Sequence, residues 1–388
     1  MGSIFKTSSY ENSDQKFWID CSGSNPVKSE LIESHLCVPR SDGTLKKLKF
    51  SLDFQNIYLL DRSGSPKKMS GLFCKFTEPF QESNSLEERF GFRIFTDTVF
   101  QDFYAEDQNL LERWITALEK VSLFNQIELD YKFIEELNSG SFGTVYLTEG
   151  IFESGLYAVK CVKKSSLDSP KDIRNLRNEI TVGRAIEHPN IAKLLKVYES
   201  SRRVYLVFEF IDSKELTQKL NRDGMFSEEK AAKVIKELLE TLDYIHHQGI
   251  AHRDVKLDNL MVDDSKVKLI DFGLACPKIN QGSTTKCGTP GYVAPEVLRG
   301  EVYNSKVDLF SAGVVLFAML FGKLPFSSNG IKEVLTRNEE CRVKFPKNQV
   351  SEEAIDLLKK LLQADPSRRP NASDAITHPW IRKKSCSK

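Results

Sequence analysis

Two regimes of hydrophobic patterning divide the chain. Residues 1–28 are rich in Ser and Asn, with one apolar island at Phe17-Trp18-Ile19. Such a segment buries too little to hold a fold and reads as a tail; docking of the island on a folded domain is the alternative. From 29 to 124, short alternating runs predict strands, as in Leu48-Lys49-Phe50-Ser51-Leu52 and Asn56-Ile57-Tyr58-Leu59-Leu60. Turn chemistry at Ser41-Asp42-Gly43 and Ser63-Gly64-Ser65-Pro66 separates them. Further strands are expected at Gly71 to Phe76 and Phe90 to Ile94. A helix follows over Asp107 to Val121, with Leu110, Leu111, Trp114, Ile115, Leu118 and Val121 on one face. The pattern predicts a small antiparallel barrel or sandwich capped by one helix, with Trp114 in its core. Residues 125–130 form a connection that spans at most a couple of tens of ångströms at ~3.3 Å per residue, so the two domains are expected to lie close together. Residues 131–382 read as strands first and then mostly helices, an α+β domain of a small β-rich and a larger α-rich lobe. Residues 383–388 are a second tail.

Composition narrows the function classes. The chain has 388 residues, a formal net charge of +1, 40% hydrophobic and 28% charged residues, as in a soluble two-domain protein. Near-neutral charge argues against a dedicated nucleic-acid binder. None of the eight cysteines forms a C-x-x-C pair, which removes zinc and thioredoxin-like readings. Scattered thiols suggest a reducing compartment, so a cytoplasmic location is expected. The longest apolar run, Val314 to Phe321, is far short of a membrane span, and no signal-peptide core opens the chain. Met1-Gly2 lacks the Ser or Thr of a myristoylation site, since Lys6 stands there.

Candidate chemistry lies in the second domain. Leu137-Asn138-Ser139-Gly140-Ser141-Phe142-Gly143-Thr144-Val145 sits between two strand-like runs. Glycines there let backbone N–H groups approach phosphate oxygens, although a plain hairpin turn has similar composition. Asn138 replaces the first glycine of the Gly-x-Gly-x-x-Gly form, and its tolerance of left-handed backbone is expected to preserve the loop. Tyr157-Ala158-Val159-Lys160 places a cation in an apolar strand, and Glu179 follows on a helix. His252-Arg253-Asp254-Val255-Lys256-Leu257-Asp258-Asn259 then packs a carboxylate, a lysine and an asparagine into six residues, and Asp271-Phe272-Gly273 ends a strand.

This ordered set resembles the protein kinase superfamily over about two thirds of the chain. The resemblance implies ATP and Mg²⁺ as cofactors, with Lys160 and Glu179 holding the α- and β-phosphates. Asp254 would orient the substrate hydroxyl and accept its proton, and Lys256 would neutralise the transferred group. Asn259 and Asp271 would hold Mg²⁺. Leu137, Asn138, Gly140, Ser141, Phe142, Gly143, Val145 and Ala158 would surround the nucleotide. Phe208 would gate the pocket, and adenine would meet backbone groups of Glu209 and Ile211. Lys256 and Thr289, within Gly288-Thr289-Pro290-Gly291-Tyr292-Val293-Ala294-Pro295-Glu296, resemble serine/threonine kinases. Glu296 is expected to pair with Arg369, and Asp308 to bond the catalytic-loop backbone. Glu215, and less surely Asp258, would receive a basic residue of a protein substrate, although Ala318 removes one further acid. Arg253 implies an activation-loop phosphate, with Thr285 as the candidate ahead of Thr284, added by an upstream kinase or by autophosphorylation.

The segment from Gly288 to Glu296 and His378-Pro379-Trp380 look most like the calcium/calmodulin-dependent kinase group. The chain stops soon after Trp380 and has no EF-hand loop, so no calmodulin partner is expected. Residues 29–124, through their strand order, Gly91-Phe92-Arg93-Ile94, Phe103 to Glu106 and the Trp114 helix, resemble a pleckstrin-homology domain. Arg40, Lys46, Lys47 and Lys49, with Lys67-Lys68 nearby, are its candidate phosphoinositide contacts at a membrane; a solvated basic rim is the alternative. The short connection suggests that this domain restrains the kinase, so that deletion before Asn125 would raise activity. The competing reading is a pseudokinase scaffold, whose one support is Asn138.

Overall fold

The computed structural model describes residues 19–20, 30–40, 42–53, 56–71, 75–76, 80–84, 87–95, 100–124, 126–140, 143–263, 266–346 and 349–385. Two compact units emerge: one of residues 1–173 and 194–210, the other of 174–193 and 211–388. The first therefore joins the N-terminal domain to the β-rich start of the second.

In the first unit the strands are β1 (Ile19–Asp20), β2 (Glu30–Pro39), β3 (Leu45–Asp53), β4 (Asn56–Leu60), β5 (Pro66–Gly71), β6 (Lys75–Phe76), β7 (Phe80–Asn84), β8 (Glu87–Phe95) and β9 (Phe100–Ala105). Helix α1 (Gln108–Glu119) and β10 (Leu123–Phe124) follow, then β11 (Tyr131–Gly140), β12 (Gly143–Gly150), β13 (Leu156–Lys163), β14 (Leu194–Glu199) and β15 (Arg203–Glu209). Pairing runs β1-β5-β4-β3-β2-β9-β8-β6-β10-β14-β15-β13-β12-β11, with β7 on β8. No pairing among the described residues closes the N-terminal strands into the expected barrel. Asp107 caps α1 by accepting from Leu110 N at 2.7 Å, and the helix buries Leu111, Trp114, Ala117 and Leu118. Trp114 is fully buried, stacks 5.9 Å from Phe92 and donates from Nε1 to Ser34 Oγ at 2.8 Å. It is a core residue with its one polar atom satisfied.

The segment before the expected linker is part of the sheet. Leu123 pairs in parallel with Lys75 of β6 and Val197 of β14, and is wholly buried. Phe124 lies 5.4 Å from Tyr198, whose hydroxyl donates to Asp130; Tyr131 meets Tyr198 and Tyr157 edge-on at 6.0 and 5.0 Å. β10 thus covers the edge that β14 would otherwise leave unpaired. Phe124→Ala is expected to destabilise this unit by about 2 kcal/mol and to speed hydrogen exchange along β14. Unchanged exchange at Val197–Glu199 would refute the bracing role.

The second unit is mainly helical. It takes most of α2 (Pro170–Ala185), then α3 (Leu216–Asp223), α4 (Glu228–His247), α5 (Pro295–Arg299), α6 (Lys306–Phe321), α7 (Ile331–Glu340), α8 (Glu352–Leu361), α9 (Ala372–Ile376) and α10 (Pro379–Ser385). Short strands β16 (Lys214–Glu215), β17 (Ile250–Ala251), β18 (Leu260–Asp263), β19 (Lys266–Leu269) and β20 (Cys276–Pro277) lie between them. α6 is apolar all round and buried from Val307 to Phe321, as a central core helix must be. The stripe of α4 (Val234, Leu238, Leu242 and Ile245) is fully buried in the same cluster.

Candidate active site

In the first unit, β11 and β12 form the Gly-containing hairpin, with Asn138 opposite Val145 and Gly140 opposite Gly143. Ser141 and Phe142 lie outside the described residues. Asn138 is not among the residues with positive φ. It sits in the paired strand, so losing a glycine there costs no backbone strain, and the expected reliance on left-handed backbone is corrected. Gly143 has φ +133°, and a Cβ on it would come 2.5 Å from Cys161 O, whereas one on Gly140 would meet nothing within 4 Å. Leu137 is largely exposed on β11. On β13, Ala158 lies between Leu147 and Phe208, and Lys160 between Val145 and Leu206. Glu209 ends β15. Glu179 is buried on α2 in the second unit, which also holds Ile211.

In the second unit the buried carboxylate of Asp308 holds the backbone at residues 252–253. Asp308, at the start of α6, has no solvent exposure. It accepts from His252 N at 2.9 Å and Arg253 N at 2.8 Å, and its Oδ2 lies 2.9 Å from His246 Nε2. Burial alone would raise its pKa. The His246 hydrogen bond, the charges of His246 and His252 and the Arg253 N–H outweigh that, and the carboxyl stays below its ordinary value. These bonds hold Arg253 at φ +66°, a left-handed conformation that costs about 1–3 kcal/mol for a non-glycine residue. Asp271 shares it, at φ +61°.

Four expected residues then converge. Lys256 Nζ lies 2.8 Å from Asp254 Oδ2 and donates to Thr289 Oγ1 at 3.1 Å; Thr289 Oγ1 donates to Asp254 Oδ1 at 2.7 Å. Asn259 Nδ2 donates to Asp254 O at 2.8 Å and Oδ2 at 3.2 Å. Asp254 is thereby oriented by a cation, a hydroxyl and an amide while nine-tenths buried. The β18–β19 hairpin pairs Leu260 with Leu269, and Ile270 N donates to Asn259 O at 3.0 Å. That register sets Asn259 beside the Ile270-Asp271 backbone. Gly273 N donates to Asp271 Oδ1 at 3.1 Å, and Phe272 packs edge-on against His252 at 4.8 Å.

The flanking residues differ in role. Glu296 and Arg369 form a two-pronged pair at 2.8 and 3.2 Å with almost no exposure. Glu215 is pushed above its ordinary pKa by burial and then by the charge of Asp258, against the opposing pull of Lys256. Asp258 accepts from Thr217 Oγ1 at 2.9 Å. Thr285 and Thr284 are exposed. On the N-terminal domain, Lys47 pairs with Glu106 and Lys49 with Glu33. Several supports were not foreseen. Buried Asn338 on α7 accepts from Gly291 N at 3.1 Å and donates to Val293 O at 2.7 Å. Tyr303 OH donates to Thr285 O at 2.7 Å. Both act across long sequence separations, and no local pattern marks them.

A protein-family model described as "Protein kinase domain" matches residues 131–381. Myosin light chain kinase A of Dictyostelium discoideum is 37% identical over 268 residues, 66% of this chain and 90% of the relative. Calcium/calmodulin-dependent protein kinase type 1 of Caenorhabditis elegans is 36% identical over 65% of this chain and 74% of its own length. Calcium-dependent protein kinase 3 of Plasmodium berghei is 38% identical over 68% of this chain and 49% of the relative.

Proposed function

Because the chain belongs to the protein kinase family and is a serine/threonine protein kinase, we propose that Asp254, Lys256, Asn259 and Asp271 carry transfer of the ATP γ-phosphoryl group to a protein Ser or Thr. The triangle of Asp254, Lys256 and Thr289 is the observation that carries this reading. Bound ATP and Mg²⁺, which the family implies, supply the phosphoryl group and the charge that neutralises it. The residues fit that pair. Asn259 spends Nδ2 on Asp254, which reserves Oδ1 as a hard oxygen donor, and Asp271 adds a carboxylate. Two such donors suit a Mg²⁺ that takes its other ligands from phosphate and water. Open space beside Gly140 suits phosphate oxygens.

Asp254 then receives the proton of the incoming hydroxyl, and Lys256 faces the transferred charge. By family membership Lys160 and Glu179 are assigned to the α- and β-phosphates, and the β11–β12 hairpin, Ala158, Glu209 and Ile211 to the nucleotide. Protein substrates with a basic residue before the phosphosite would use Glu215. The alternative is a pseudokinase scaffold, whose one support, Asn138, has no positive φ. Calorimetry tests the nucleotide half: wild type binds Mg-ATP at millimolar nucleotide or below, and Asp271→Ala weakens that by about tenfold or more. Equal affinity would remove Asp271 from the metal site.

Regulation is proposed to run through Thr285, whose N–H donates to Ser283 Oγ beside the Arg253 network. Thr285→Ala should lower turnover severalfold; equal turnover by wild type, dephosphorylated enzyme and variant would remove this site. The β-strand order and buried Trp114 support a pleckstrin-homology-like reading of residues 29–124. With Lys47 and Lys49 already paired to carboxylates, membrane recruitment is not proposed. Deletion before Asn125 would strip Leu123 and Phe124 from β14, so the pairing favours bracing over the restraint expected from linker length.

A further inference from the structure

Arg253 is a mostly buried cation whose partners are neutral oxygens. Its Nε donates to Leu274 O at 2.7 Å, and its Nη1 to Tyr303 OH at 3.1 Å and Ser283 Oγ at 3.5 Å. Tyr303 itself is 3% exposed. Its hydroxyl accepts from Arg253 and, at 3.2 Å, from Ser283 Oγ, and donates to Thr285 O at 2.7 Å. A phenol has one proton to give and two lone pairs to fill, so all its capacity is spent here. The main chains agree: Ser283 N donates to Tyr303 O at 3.0 Å, and Tyr303 N to Ser283 O at 2.9 Å.

Through that hydroxyl, Arg253 of the catalytic loop is linked to Ser283 and Thr285, and Cys287 Sγ lies 3.9 Å from it. We propose that Tyr303 is a positioning residue that docks the activation segment on Arg253 through neutral hydrogen bonds, giving the kinase a basal activity that needs no phosphate on Thr285. The inference rests on the kinase reading above and extends it. A phosphate on Thr285 would offer Arg253 a second, charged tie, so the two ties are partly redundant. Asp254, adjacent to Arg253 in the loop, is the group that either tie would further steady beyond its own bonds to Lys256, Thr289 and Asn259. Backbone pairing between Ser283 and Tyr303 does not need the hydroxyl, so a phenylalanine keeps the ring and the strand-like bridge while removing only the bonds of the hydroxyl.

The test is Tyr303→Phe in the full chain, assayed as phosphatase-treated enzyme and as enzyme phosphorylated on Thr285, verified by mass spectrometry. Phosphatase-treated Tyr303→Phe should turn over about tenfold more slowly than treated wild type, with the KM for ATP unchanged. Amides of Ser283 and Thr285 should exchange faster. Thr285-phosphorylated variant and wild type should agree within about twofold, since the charged tie replaces the lost one. Turnover of the treated variant within twofold of treated wild type overturns the proposal. Equal losses in both phosphorylation states also overturn it, by reducing Tyr303 to a general structural role. If phosphorylating wild type changes nothing, the Thr285 reading fails instead, and the comparison of treated enzymes still decides the role of Tyr303.

Discussion

Asp254→Asn is expected to slow phosphoryl transfer by about 10²–10⁴-fold, the usual worth of a positioned general base, while Mg-ATP affinity stays within about twofold. The substitution is nearly isosteric, so Thr289 Oγ1 and Asn259 Nδ2 keep a neighbour at the positions now held by Asp254. What disappears is the charge that receives the hydroxyl proton and the 2.8 Å ion pair to Lys256. Because Asn259 also bonds the backbone O of residue 254, the candidate metal donors are held independently of the substituted side chain. Turnover and nucleotide affinity measured together separate the two effects. A loss below tenfold would mean that Asp254 neither takes the proton nor orients the nucleophile.

Glu296→Ala should produce the largest loss of stability, about 3–5 kcal/mol, because it strands a buried cation. Arg369 would keep the carbonyls Lys306 O at 2.7 Å and Gln363 O at 2.8 Å and the face of the Phe310 ring at 5.2 Å, but no anion. The cost comes from the orphaned guanidinium more than from the pair's net worth. Replacing both partners with apolar residues, Glu296→Leu with Arg369→Met, should therefore cost much less. Denaturant unfolding of the two variants distinguishes the cases; a cost near 1 kcal/mol for Glu296→Ala would indicate that water reaches the site. None of the residues placed at the chemistry is altered, so activity per folded molecule should fall less than stability does.

The second unit was legible because its chemistry is written in short, ordered motifs. Residues 252–259 carry a carboxylate, a lysine and an asparagine within one loop, and a two-strand hairpin sets Asp271 close in the chain to Asn259. The apolar runs of α4 and α6 marked the core that holds them. Asp308 and the Glu296–Arg369 pair were also expected, but through the family resemblance and not from any local pattern. Tyr303, His246 and Asn338 were not. Their bonds cross sequence separations of 18 to 62 residues, and an aromatic or amide between ordinary neighbours gives no local sign of such a role. Nor did any residue type announce the left-handed backbone of Arg253 and Asp271, because the fold imposes it through Asp308 and the turn after β19.

The N-terminal domain was read less completely for a different reason. β5 (Pro-Lys-Lys-Met-Ser-Gly) and β7 (Phe-Gln-Glu-Ser-Asn) are polar edge-like strands without alternation, and pattern reasoning passes over them. β10 is two residues long, too short to register as a strand. Its importance lies in what it pairs with, and pairing across 74 residues of chain is set by tertiary packing. The lysines chosen for a lipid rim were visible as charges, whereas their carboxylate partners on β2 and beside β9 were not.

Transfer of radiolabelled γ-phosphate from Mg-ATP to a Ser/Thr peptide by the full chain tests the central claim most directly, with Asp271→Ala run alongside as a folded control. Label on phosphoserine or phosphothreonine from wild type, and none above background from the variant, is the predicted result. A folded wild-type chain that transfers nothing, or a variant that transfers equally well, would contradict it.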